Sequence, residues 1–285
     1  MTDLMKDLEG IPVFALEKLK NAETTGEGVK LPFPALYAFV TNGDPKQKAA
    51  AKTAPALYYG GFATDAVKAG ELVDDGSLPH LPEGWAPFSG VGEKGDWDGL
   101  CVRAITIARI ASRAHWINQE ARQSGPHYDA AKGLTRQHLQ VLCLLYSASK
   151  PFGYCVLTAK GFQAKNLMDA FTAWKTAIGK YAKEINASTI PLGGFAITIG
   201  TQGEQPDYVS VGKAATSKIT PIKALIPDDF SAEKLAKRFI GAQNLSANAE
   251  RLDIAAEWLA AWQKRDVATD DQGAEAAPPV EEIPW

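Results

Sequence analysis

Cysteine is scarce in this sequence: Cys101, Cys143 and Cys155 are the only three in 285 residues. Their odd number and their place inside apolar runs exclude a disulfide scaffold and predict buried free thiols. Long hydrophobic runs are absent, so nothing approaches the roughly 20 apolar residues of a membrane-spanning helix. The opening MTDLMKDLEG lacks the basic and apolar regions of a secretory leader, and the expected location is the cytoplasm. His80, His115, His127 and His138 stand far apart, and no cysteine pair has C-x-x-C spacing, so no metal is expected.

Catalytic motifs are missing too. There is no G-x-x-x-x-G-K-[ST] loop around Lys213, no G-x-S-x-G elbow and no H-E-x-x-H pair. Gly90, Gly92 and Gly95 in GVGEKG have dinucleotide-loop spacing, but they follow a Pro-rich loop and lead into DWDG rather than a helix start. Glu93, Asp96 and Asp98 are better explained as loop solvation than as a metal cluster. The chain is read as a binding protein, not an enzyme, and no cofactor is expected.

What is present is uneven charge. The formal net charge of −3 hides a window, residues 100–183, with twelve basic and three acidic side chains. Residues 1–99 carry nine basic and fifteen acidic ones, residues 184–265 balance at nine each, and the last twenty carry six acids and no base. A basic middle joined to an acidic end suggests a polyanion-binding surface and a segment able to compete for it.

The apolar pattern predicts an α+β fold. Residues 1–30 read as an arm. From Leu31 short β-branched and apolar runs alternate with turn residues, with residues 74–99 as a Gly-, Pro- and Asp-rich loop. Residues 101–117 are ambiguous, since their alanines suit a helix while Val102, Ile105, Thr106, Ile107 and Ile110 suit a strand; in a strand, Arg103, Arg109, Arg113 and His115 would share odd parity and therefore one face. HLQVLCLLYSA and FGYCVLTA predict two strands joined by SKP. Leu167, Phe171, Trp174, Ile178, Tyr181 and Ile185 step by threes and fours, predicting a helix near 161–185. GGFAITIG and DYVSVGKA read as a closing strand pair, and residues 226–265 as a helical region. The order argues for a small barrel or curled antiparallel sheet over 31–225 with added helices.

The last segment, 266–285, is acidic, rich in Ala, Pro and Gly, and without apolar periodicity, a composition expected to stay disordered. Yet it ends in Glu281, Glu282, Ile283, Pro284 and Trp285. One physical account of this end is a docking peptide, in which the Trp285 ring would fill a partner's apolar pocket, the terminal carboxylate would pair with a basic group, and Pro284 would limit the entropy lost.

This tip resembles that of bacterial and phage single-stranded DNA-binding proteins, whose acidic linkers end in a sequence such as DDIPF. Glu stands here for Asp and Trp for the terminal Phe. The resemblance implies an oligonucleotide-binding (OB-like) antiparallel β-barrel core, protection of single-stranded DNA in replication, recombination or repair, and recruitment of partner proteins through Glu281–Trp285. Binding without sequence preference needs cations for phosphates and aromatic rings for bases. The basic window supplies Arg103, Arg109, Arg113, His115 and Trp116, then Lys150, Phe152, Tyr154, Lys160, Phe162 and Lys165. Phe171 and Trp174 belong to the helix stripe and to the core. The alternatives are a strand-annealing recombination protein, which would form rings or filaments, and a DNA-processing enzyme that acquired the tail.

Overall fold

In a computed structural model of the chain, the described residues are 31–260, apart from 93–94, 119–120, 122, 126, 148–149 and 213–216; the side chains of 90–97 also fall outside the description. The expected arm (1–30), the acidic tail (266–285) and its tip residues Glu281, Glu282, Ile283, Pro284 and Trp285 lie outside the described residues.

The fold is mixed α+β, built on a strongly curled, half-barrel sheet. In chain order the strands are β1 (Leu36–Thr41), β2 (Gly61–Asp65), β3 (Ala86–Gly92), β4 (Gly95–Val102), β5 (Ala104–Asn118), β6 (Gln123–Gly125), β7 (Arg136–Ser147), β8 (Lys150–Lys160), β9 (Ile197–Gly200), β10 (Val209–Val211), β11 (Ser217–Ile219) and β12 (Lys223–Ala224). Ten of these form one sheet in the order β12-β9-β5-β7-β8-β1-β2-β4-β3, with β6 attached to β5. The helices are α1 (Pro55–Tyr59), α2 (Ala66–Asp74), α3 (Phe162–Tyr181), α4 (Ala232–Ala236), α5 (Ala242–Ile254) and α6 (Ala256–Ala260). Among the described residues, no helix is long and apolar enough to cross a membrane.

The long central strands and α3 form where the periodicities predict. On α3, Leu167, Phe171, Trp174 and Ile178 are buried, as their spacing requires. Gly161 allows the sharp passage from β8 into α3: its φ is +54°, a left-handed conformation that glycine adopts without a Cβ clash, and its N–H donates to the Gln137 carbonyl at 2.7 Å. All three cysteines are buried and free.

Three expectations are corrected. The sheet is not wholly antiparallel, because β1 runs parallel to β8, with Leu36 opposite Cys155 and Phe39 opposite Thr158. Part of the expected loop over 74–99 is a hairpin, β3–β4, and Gly92 faces Gly95 at its end. β9 and β10 do not close on each other: β9 pairs with β5 and β12, while β10 and β11 form a separate two-stranded sheet. Both segments are short and Gly-punctuated; β9 is claimed by β5, about 90 residues earlier, while β10 pairs locally with β11, a choice that the apolar pattern of either segment does not determine.

Both faces of the central strands are covered. Cross-strand partners share a face, so the register sorts the side chains. α3 covers the face that carries Arg109, opposite Cys143, and the Arg109 guanidinium lies 5.2 Å from the Phe171 ring centre. The C-terminal helices cover the other, where Arg113 meets Trp258. A smaller cluster, Phe39, Ala54, Ala56, Ala63 and Cys101, is packed on the latter face toward the β2–β4 side.

Candidate nucleic-acid interface

A β-bulge decides where the arginines of β5 point. Arg109 stands opposite Cys143, but Ala111 stands opposite Leu142, so Ile110 is the extra residue and parity reverses there. Arg113 consequently shares the face of Gln140, and His115 that of His138, whereas Arg109 faces the other way. The single arginine surface expected from odd numbering is therefore not formed.

Each arginine has its own place. Arg103 sits at the bend between β4 and β5, its guanidinium 4.0 Å from the Tyr59 ring centre, and donates to the Gly203 carbonyl at 2.9 Å. The length of β5 separates it from His115, about 40 Å along the strand at ~3.3 Å per residue. Arg109 donates to Ser112 Oγ at 2.7 Å between the sheet and α3. Arg113 is only 6% exposed; it donates to Gln140 Oε1 at 2.8 Å and to the Trp258 carbonyl at 2.7 Å. It does not reach a surface that a strand could touch.

The second group divides likewise. Lys150 opens β8 at the end opposite to Lys160. Phe152 is buried and stacks on His80 at 5.2 Å. Tyr154 is half-buried, 5.4 Å from Phe33, with the Arg251 guanidinium 5.3 Å from its ring centre.

What remains gathers at one end of β5, β7 and β8. His115 stands opposite His138, His138 opposite Lys160, and Ile117 opposite Arg136; these share one face. The two imidazoles stack edge-on at 5.0 Å. His138 is held down to about 2, first by burial and then by the neighbouring basic side chains His115, Lys160, Arg136 and Arg113, which disfavour a further positive charge. Every charged neighbour that perturbs this imidazole is a base, so the strand end is a concentration of positive potential.

Aromatic rings flank it. Phe162, the first residue of α3, is 48% exposed, next to Gly161, whose Cβ position lies 3.7 Å from Arg136 Nε. Trp116, opposite Gln137, stacks on Tyr128 at 5.2 Å, and Tyr128 is 59% exposed. Lys165 is exposed one turn into α3 and ion-paired with Asp169 at 2.6 Å.

The structure thus places His115, Trp116, Lys160, Phe162 and Lys165 of the eleven residues expected at one end of the sheet, with His115 and Lys160 on one face and Trp116 on the other, the face that α3 covers, and leaves Arg103, Arg109, Arg113, Lys150, Phe152 and Tyr154 elsewhere. Arg136, His138 and Tyr128 were missed. Arg136 and His138 precede the apolar core of β7 by a few residues, and the two-residue alternation of that strand was the signal that could have found them. Among the described residues, no group of three His, Cys, Asp or Glu side chains is arranged to hold a metal ion. Chemically, the strand end can offer cations to phosphates and ring faces to bases.

No family model, curated protein or solved structure matches this chain. The likeness to single-stranded DNA-binding proteins therefore rests on the tail residues alone.

Proposed function

We propose that the chain binds single-stranded DNA without strong sequence preference, as a protecting and not a catalytic protein, and that the strand end around Lys160, Arg136 and Phe162 makes the contact. The observation that carries this reading is the convergence of Lys160 and Arg136 on His138 at one face of the strand end, with the exposed ring of Phe162 opening α3 two residues after Lys160. Cations that track phosphates beside rings that stack on bases are what sequence-tolerant strand binding requires. An OB-like barrel is the finer reading of the curled sheet, supported by its curvature and by the tail; the parallel β1–β8 pair is a departure from it. In this reading Glu281–Trp285 recruits replication, recombination or repair proteins, and the acidic tail stays off the strand because phosphate repels it.

The test is a fluorescence titration with dT oligomers and a matched duplex at several salt concentrations. Affinity should favour the single strand and fall with salt, and Lys160→Ala with Arg136→Ala should flatten the salt slope by about two charges. Removing residues 266–285 should preserve or tighten binding, most visibly at low salt. Equal affinity for duplex and single strand, or a constant indifferent to salt, refutes the proposal.

A further inference from the structure

β3 is an edge of the ten-stranded sheet, and among the described residues it pairs with β4 alone. An edge strand presents backbone donors and acceptors to another chain. Beside it an open groove of about 550 Å³ is lined by Ala66, Pro87, Phe88, Ser89, Asp98 and Gly99. Ser89 Oγ donates to Asp98 Oδ1 at 2.6 Å, which fixes that exposed carboxylate at the groove. The surrounding sequence is acidic: residues 65–99 carry eight carboxylates and two lysines.

This charge selects the occupant. Pairing β3 with β3 of a second copy would set one acidic edge against another, an arrangement that like charges disfavour. The chain itself carries the complement. Over the last turns of α3, Lys175 and Lys180 are exposed, followed by Lys183 just beyond the helix, and no carboxylate intervenes before Glu184. Just before and among these lysines, Thr172, Ala173, Thr176 and Gly179 are exposed and small, so a surface can approach the helix closely.

We propose that copies of this chain associate head to tail, the lysine-bearing outer face of α3 in one copy seated against the acidic β3–β4 groove of the next. The contact joins two different surfaces, so each copy keeps one of each available, and growth into a ring or an open chain follows. It uses the C-terminal half of α3, whereas Phe162 and Lys165 stand at the other end of a helix about 30 Å long. The inference therefore does not depend on the proposed strand binding.

The experiment is sedimentation velocity on the full chain without nucleic acid, over a range of protein concentrations, at low salt and at ~1 M salt, where the Debye length is about 3 Å. The mean sedimentation coefficient should rise with concentration at low salt and return to the monomer value at high salt. Asp98→Lys, and separately Lys180→Glu with Lys183→Glu, should each lower the association constant at least tenfold, and the chain carrying all three changes should recover it. A monomer at every concentration in low salt overturns the proposal, as does a species that stops at a dimer, or association unchanged by the reversals. Circular dichroism verifies that each variant is folded. Titration of the same variants with dT oligomers separates the two ideas: strand binding that fails while self-association persists refutes only the functional reading.

Discussion

The Arg113 guanidinium lies 3.7 Å from the centre of the Trp258 ring and donates to the carbonyl of the same tryptophan at 2.7 Å. One side chain of β5 thereby fastens the C-terminal helices to the sheet. A buried guanidinium that stacks and forks in this way is not replaced by an ammonium. Arg113→Ala should lower stability by about 2–4 kcal/mol, and Arg113→Lys should recover little of it. Denaturant unfolding of both variants checks this, with Lys160→Ala as the surface control that leaves stability nearly unchanged.

Phe152 and Phe162 stand ten positions apart and should respond in opposite ways. Phe162 is half-exposed, so Phe162→Ala should leave the unfolding midpoint close to wild type while weakening dT binding by about 1–3 kcal/mol. Phe152 is buried, so Phe152→Ala should cost about 3–5 kcal/mol of stability. Paired unfolding and binding titrations decide the two cases.

His138 makes stability depend on pH with a definite sign. Its imidazole is neutral in the folded chain down to about 2, whereas an unfolded histidine takes up a proton near 6.5. The unfolded state therefore binds more protons below about pH 6.5, and stability present above that value is lost as pH falls, by at most about 1.4 kcal/mol per pH unit. His138→Asn should flatten the stability profile between about pH 6.5 and 4 relative to wild type. Equal slopes in the two proteins would contradict the assignment.

Gly60 closes α1 with φ +80°, and a Cβ there would sit 1.9 Å from Thr220 Oγ1. Both the backbone and the space exclude a side chain. Gly60→Ala should destabilise the fold by about 2 kcal/mol or more. Gly70 is the control: it lies in α2 with nothing near its Cβ position, so Gly70→Ala should be neutral or stabilising. Thermal unfolding of the two variants tests the contrast.

Local periodicity carried much of the architecture. The stripe from Leu167 to Ile178 announced α3, and the strand character of residues 104–118 was visible in its β-branched residues. What one chain cannot announce is register across the sheet. Nothing local to Ile110 marks it as the bulged residue, since the bulge is defined by Cys143 and Leu142 on β7, and that single insertion sends Arg109 and Arg113 to opposite faces. Tyr128 and Arg136 were obscured for a related reason: each lies beside a loop, and only folding sets Tyr128 against Trp116 and Arg136 beside Gly161. Charge along the sequence located the basic region, but burial divided it. Arg113 and Lys160 look alike in composition, yet one is locked under Trp258 and the other stands at a strand end.

The parallel pairing of β1 with β8 has a consequence for how the chain acquires its structure. Leu36 cannot meet Cys155 until more than half of the polypeptide has left the ribosome. During that interval β1 and β2 can pair only with each other and with β4, and their apolar side chains await the β7–β8 hairpin. Contacts this distant in sequence close large loops before they are rewarded, and such topologies fold slowly. The β7–β8 hairpin, with its two-residue connection and dense apolar register, is the element suited to form first and to serve as the template on which β1 is captured.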